Sequence, residues 1–502
     1  MNIKRAKEEI VNTVKAYLAR DRFGNYRIPY LRQRPILLIG PPGIGKTQIM
    51  EQVTAECKVA LVSYTITHHT RQSAVGLPFI KNKEYEGKEY PVTEYTMSEI
   101  IASVYEKMEH TGIKEGILFI DEINCVSETL APTMLQFLQY KSFGNRRIPE
   151  GWVIITAGNP PEYNRSVREF DTVTLDRVRK ITLEPDYNAW KEYAYKQGIH
   201  GAIISYLDIR KENFYRVETT PDGIFFATAR GWEDLSEMLL TCEELNLPVT
   251  EDLVIQYLQY NTIARDFANY YELFNKYKEV YSIEEILKGN ITGEAIYKIG
   301  RAPFDEKLNV IGLLLGRLNG IFKEVFLMDL YIDRLFACLK KFKQQIIDKG
   351  SKSPIELLLD LQKNEEEKYL SKLESGQADK TETTVSAAVS NRLNGYLVKL
   401  KENEATDALK AFELVKQSFD QESVKRKEQI EAARAALNYV FEFMETAFGE
   451  SQEMVVFVTE LTVNFYSSKF IGEYGSEMYV KYNRSLLFEE RHKEIINEID
   501  KL

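Results

Sequence analysis

Ile36, Leu37, Leu38 and Ile39 run without a break into Gly40-Pro41-Pro42-Gly43-Ile44-Gly45-Lys46-Thr47, and no other stretch narrows the possible folds as far. The spacing Gly-x-x-x-x-Gly-Lys-Thr after a short apolar run predicts a strand, a phosphate-cradling loop and the first turn of a helix. Glycines let the backbone turn its N–H groups inward, and the helix that follows presents its positive dipole end to the same point. Lys46 is then placed to reach the β- and γ-phosphates of a nucleoside triphosphate, and Thr47 offers a hydroxyl to the magnesium ion that accompanies them. A loop of this kind belongs to an α/β fold with a parallel sheet.

Gly116 to Ile120 form a second continuous apolar run, ending in Asp121 and Glu122. Such a run reads as a strand buried on both faces. At its C-terminal end, beside the phosphate loop, Asp121 would orient the metal and Glu122 would polarise the attacking water. A third run, Trp152 to Ala157, leads into Gly158-Asn159-Pro160-Pro161. The Asn159 amide would touch the γ-phosphate or the water, although Asn-Pro is also ordinary turn punctuation. The segment Thr174 to Leu183 is basic and leads into another strand, with arginines able to enter a neighbouring subunit's site.

In this order the motifs resemble the AAA+ ATPases, and within them the MoxR-like branch, related to magnesium chelatase and the replicative helicase ATPases. The resemblance spans about residues 30 to 270. Gly40 to Thr47 look like Walker A, Ile117 to Glu122 like Walker B and Asn159 like sensor 1. Leu175-Asp176-Arg177-Val178 look like the Leu-Asp-Arg-Phe element, with valine in place of phenylalanine. Arg177 is therefore the implied finger on the adjacent subunit, with Arg168 and Arg179 as alternatives. Phe226 to Leu235 are similar to the start of the lid helix, which makes Arg230 sensor 2, although Ala229 stands where the branch usually has proline. The resemblance implies a magnesium-dependent ATPase working as a homo-oligomeric ring, six-membered in the family. It implies action on a protein client, often one with a von Willebrand factor A domain. Two other roles stay open: a nucleic-acid motor like the related helicases, and a nucleotide-gated scaffold with little turnover.

Acidic residues outnumber basic ones 75 to 65, for a net charge of -10, which weighs against a duplex-binding machine. Cys57, Cys125, Cys242 and Cys338 are scattered without metal-ligand spacing, so reduced, buried thiols are expected. His68 and His69 lack a third ligand nearby and are read as a polar loop. No apolar run approaches a membrane-spanning length, and residues 1–7 open a mixed-charge helix, so a cytoplasmic protein is expected.

Three regions follow. Residues 1–185 are expected to form the nucleotide-binding α/β domain, with a hairpin across 79–95 and helices at 97–108 and 129–140. Residues 186–281 are expected as a helical lid, and 282–502 as an all-α region. In the last, Leu308, Ile311, Leu315, Leu318, Phe322 and Val325 mark one helix face. Leu409, Phe412, Val415, Phe419, Ala433, Leu437, Val440 and Met444 mark another, across 405–448. These stripes are read first as bundle core and second as a docking surface, and the aromatic segment 465–482 likewise. The charge-rich stretch 364–384 is expected as an exposed linker or mobile loop.

Overall fold

The computed structural model describes residues 1–484, apart from 69–70, 144–145, 164–166, 168–169, 222, 348–352 and 404–406. Their backbone groups into two compact units, Met1–Asp186 with Glu366–Thr383, and Tyr187–Glu365 with the residues from Thr384 onward.

The first unit is a parallel sheet between helices. Its elements are α1 (Ile3–Leu18), β1 (Ile36–Ile39), α2 (Lys46–Cys57), β2 (Ala60–Thr65), α3 (Arg71–Val75), β3 (Pro78–Tyr85), β4 (Lys88–Tyr95), α4 (Glu99–Thr111), β5 (Gly116–Asp121), α5 (Ala131–Tyr140), β6 (Ser142–Phe143), β7 (Arg146–Arg147), β8 (Trp152–Gly158), α6 (Thr172–Arg177) and β9 (Arg179–Thr182). The five long-range strands order as β2-β5-β8-β1-β9, all parallel, with Ile36 facing Ile155 on one side and Arg179 on the other. Strands β5 and β8 are covered on both faces, which is why they read as unbroken apolar runs. Chain order reverses at β1, with β8 on one side and β9 on the other, so β1 and β8 border the crevice where open parallel sheets bind ligands. Strands β3 and β4 form the expected hairpin, turned by Glu86 and Gly87, both at positive φ.

The C-cap of α5 buries a lysine. Lys141 is 1% exposed, its Nζ donates to the Tyr30 carbonyl at 2.7 Å and lies 4.1 Å from the centre of the Tyr30 ring. Both contacts favour the ammonium, but burial outweighs them and pulls the amine down to about 7. The native amine therefore releases its proton near pH 7, and the unfolded one only near its ordinary value of 10.5. Between those two values the unfolded state holds the extra proton, so this residue's contribution to stability rises with pH. Comparing denaturant midpoints of the protein and Lys141→Met from pH 6 to pH 10 should show the difference moving toward the lysine form by up to about 1.4 kcal/mol per pH unit. A difference that stays flat would exclude the buried neutral amine.

The second unit holds α7 (Tyr187–Gln197), α8 (Gly201–Ile209), β10 (Arg216–Thr220), β11 (Gly223–Ala227), α9 (Ala229–Leu245), α10 (Glu251–Tyr257), α11 (Asn261–Val280), α12 (Ile283–Leu287), α13 (Gly293–Arg301), α14 (Phe304–Ile347), α15 (Pro354–Glu374), α16 (Lys380–Glu402), α17 (Ala408–Phe448), α18 (Gln452–Val463) and α19 (Phe465–Tyr474), less the far end of the α15–α16 pair. The two longest helices, α14 and α17, pack on each other and feed two apolar clusters. One gathers α7 to α13, α18 and α19, and the other gathers α15 and α16. Ile311, Leu315, Leu318, Phe322 and Val325 are buried as the stripe predicts, as are Ala433, Leu437, Val440 and Met444. Leu409 is not: it is 78% exposed in the first turn of α17. Tyr466, Phe470 and Tyr482 are buried, so the aromatic segment serves packing. Lys191, 6% exposed, joins three elements by reaching Asp208 at 2.6 Å and Glu460 at 2.7 Å. The β10–β11 hairpin was not anticipated within a helical lid.

The stretch 364–384 is not a linker. Helix α15 continues to Glu374, Gly376 at φ 75 turns the chain, and α16 starts at Lys380. Its charges pair locally, Lys372 with Glu382 at 2.9 Å, and its Glu and Lys residues are good helix formers. Glu366–Thr383 group with the first unit. There Gln377 Nε2 donates to the Val59 carbonyl at 3.2 Å, Lys107 Nζ donates to the Glu374 carbonyl, and Ser375 is buried. This contact lies at the start of β2, the free edge of the sheet.

No helix among the described residues is long and apolar enough to cross a membrane. None of the four cysteines is in a disulfide, and only Cys242 and Cys338 are buried; Cys57 and Cys125 are half-buried.

Candidate nucleotide site

Strand β1 stops at Ile39 and α2 begins at Lys46, leaving residues 40–45 as the loop between them. Gly43 and Gly45 adopt positive φ, 71° and 90°, which side chains tolerate poorly. Gly40 has another reason to be glycine, because a Cβ there would lie 2.7 Å from Leu183 Cβ. Pro41 and Pro42 stiffen the same loop, and Ile44 is packed at 9% exposure.

Lys46 is folded back on this loop. Its Nζ donates to the carbonyls of Gly40 and Pro41, both at 2.8 Å, and to Asn159 Oδ1 at 2.9 Å. The ammonium thus sits among oxygen acceptors, which phosphate oxygens can replace. Beside it, Thr47 Oγ1 donates to Asp121 Oδ2 at 3.1 Å. A hydroxyl and a carboxylate converging from a helix start and a strand end make a hard-oxygen pair suited to magnesium, which takes few protein ligands and completes its shell with water and phosphate. Among the described residues no cluster of three or more His, Cys, Asp or Glu offers a different metal site.

Glu122 follows β5 in the left-handed region, φ 57 and ψ 34, uncommon for a residue with a side chain. That turn directs its carboxylate toward the end of β2, where Oε2 accepts from Thr67 Oγ1 at 2.9 Å. Asp121 Oδ1 accepts from the Glu122 N–H at 2.9 Å and steadies the turn. The Cys125 thiol is pushed up, by burial first and then by the carboxylates of Glu122 and Asp121, a mark of the negative field that a cation here would relieve.

Asn159 stands at the end of β8, next to Gly158, whose carbonyl accepts from the Gly40 N–H at 3.3 Å. Lys46, Thr47, Asp121, Glu122 and Asn159 are thus brought together from the ends of two strands and one helix start. Arg177 closes α6 and is exposed. Arg179, one of its alternatives, is engaged elsewhere, with Nη2 2.7 Å from Glu9 Oε2 and Nη1 on Thr13 Oγ1. Arg168 lies outside the described residues, as does His69. Arg230 lies in the first turn of α9, exposed, in the second unit.

Sequence reasoning missed two side chains of this site. Thr67 carries no motif of its own, and its only signal is a place just beyond β2 on the same side of the sheet as the acids. Asn124 was visible beside the acid pair, yet nothing in its spacing foretold that its Nδ2 donates to the Asn159 carbonyl at 2.7 Å.

Residues 36–175 match the family model for the ATPase family associated with various cellular activities (AAA), well under half of the chain. No curated protein matches the chain. Similar solved structures include one of a protein of Cytophaga hutchinsonii ATCC 33406, provisionally described as an ATPase, with 17% identity and a TM-score of 0.24. That match covers 38% of this chain and 55% of the other, so the chain spans about half the length of this relative. Residues 36–175 are an AAA ATPase domain.

Proposed function

We propose that the chain hydrolyses ATP with magnesium, as a ring of identical subunits of the MoxR-like type, and uses the cycle to remodel or assemble a protein client. The observation that carries the enzymatic part is the convergence of Lys46, Thr47, Asp121, Glu122 and Asn159 around one glycine loop. The loop N–H groups and the start of α2 bind the triphosphate, and Lys46 exchanges its carbonyl partners for the β- and γ-phosphate oxygens. Thr47 and Asp121 would hold the magnesium ion, whose charge offsets that of the phosphates. Glu122 leaves Thr67 and takes the proton of the attacking water, while Asn159 aligns the γ-phosphate and that water. Arg177 of one subunit supports the charge developing in the next, which makes turnover depend on assembly.

The ring, its six-fold count and a client with a von Willebrand factor A domain follow from the motif resemblance. The acidic balance of the chain favours a protein over a nucleic acid as the client. Phosphate release by the purified full chain tests the reading. Magnesium-dependent turnover should be seen with ATP and lost in Lys46→Ala, along with most nucleotide affinity. A Lys46→Ala protein that hydrolyses ATP at the unmodified rate would end the assignment, and stimulation by single-stranded DNA would redirect it to a nucleic-acid motor.

A further inference from the structure

Asn124 occupies a single 3-10 turn, Ile123–Cys125, immediately after the acid pair, and is 4% exposed. Its two amide atoms behave differently. Nδ2 donates to the Asn159 carbonyl at 2.7 Å, a short bond to backbone across two strand ends. Oδ1 is buried without a hydrogen-bond partner among the described residues and lies against Gly158, where an added Cβ would fall 2.4 Å from it. Buried polar atoms are normally paired, so an asparagine kept for packing alone would be better replaced by an apolar side chain. The unmet acceptor accompanies close seating of the amide on residues 158 and 159.

That seating completes a grip on one piece of backbone. The Gly158 carbonyl accepts from the Gly40 N–H at 3.3 Å, which ties it to the phosphate loop, and the Asn159 carbonyl is tied to the acid turn by Asn124. Between the two carbonyls stands the Asn159 side chain, with Oδ1 on Lys46 Nζ at 2.9 Å. We propose that Asn124 is a positioning residue for hydrolysis, locking Asn159 in register between the phosphate loop and the Asp121–Glu122 turn. The inference rests on the ATPase reading of the same site. Its bond is to the Asn159 backbone, and no contact with the reacting groups is assigned to it. It acts by fixing where Asn159 and Glu122 stand relative to one another, so its loss lowers the rate of the chemical step more than it lowers nucleotide affinity.

The test compares kcat for ATP with the Kd for a fluorescent ATP analogue, in the full chain with magnesium. Asn124→Ala should lower kcat about 10- to 100-fold, the scale of a displacement near 1 Å at a reacting centre, while Kd changes less than about threefold. Asn124→Asp has the same shape but cannot donate to the Asn159 carbonyl, and it should fall at least as far even if the alanine variant folds poorly. Gly158→Ala drives a methyl into the Asn124 amide and should reproduce the loss. In Gly158→Ala with Asn124→Ala the methyl has room, so kcat should be no lower than in Asn124→Ala alone. A kcat within twofold of the unmodified chain for both Asn124 variants overturns the proposal, as do losses that multiply in the double variant. Affinity falling in step with kcat overturns it too, by assigning Asn124 to loop folding. If the unmodified chain binds ATP and never cleaves it, the ATPase reading fails first and this one with it. If the unmodified chain turns over normally, failure of the variants touches Asn124 alone.

Discussion

Arg177→Ala should bind ATP as the unmodified chain does and hydrolyse it roughly 10³-fold more slowly, or worse, a loss of about 4 kcal/mol of transition-state stabilisation. The reason lies in where the residue stands. It ends a short helix whose start is fixed by Asp171, with Oδ1 accepting from the Thr174 N–H at 2.8 Å, so α6 has a defined beginning and presents Arg177 at an exposed end. Arg179 is spent on α1 through Glu9 and Thr13, which leaves it poorly placed to reach across to another subunit. A finger given in trans also predicts complementation. On that proposal each site would need Glu122 from one subunit and Arg177 from the next. Mixing Arg177→Ala chains with Glu122→Gln chains, each nearly inactive alone, should therefore restore measurable turnover. Phosphate release that stays at background on mixing, with ring formation verified by native mass, would place the arginine's role within its own protomer.

Glu122→Gln is the second large effect. Glutamine keeps the shape of the side chain and still offers an oxygen to the Thr67 hydroxyl, so the strained turn after β5 should survive. It cannot take a proton from water. Turnover should fall by roughly 10² to 10⁴, the usual contribution of a general base, with ATP retained at the site. On the proposed reading the retained ATP should hold a protein client in complex, so affinity capture with this variant is the direct route to identifying it. Turnover within about tenfold of normal would give the base role to another group.

The parts of the fold legible in the sequence were those where one physical demand dominates. Strands β5 and β8 are covered on both faces, so burial wrote an uninterrupted apolar run into each. The phosphate loop was legible because its backbone needs Gly43 and Gly45 at positive φ. The β10–β11 hairpin was harder, since Ala227 alone of its strand residues is buried and they show little alternation, although Pro221 and Gly223 at its turn were an available signal. The stretch 364–384 was misread because charge and a lack of apolar periodicity suggested a linker, whereas helix propensity carries Glu and Lys through α15 and α16. Thr67 and Asn124 were illegible for a different reason. Their partners lie 55 and 35 residues away, and only the strand order β2-β5-β8 sets those positions side by side.

The far end of the α15–α16 pair bears on how the molecule is made. The first unit consists of Met1–Asp186 and the distant Glu366–Thr383, so a nascent chain that has emerged through Asp186 lacks the piece that seats Gln377 on Val59 and Glu374 on Lys107. At ribosomal speeds of 5–20 residues per second, roughly 10 to 40 seconds separate emergence of the two pieces. Throughout that interval the start of β2 is an open sheet edge, the kind of surface that recruits stray strands. Synthesis of this protein therefore includes a waiting period in which its own chain does not yet supply that contact, and a gene fragment cut at Asp186 would make that interval permanent.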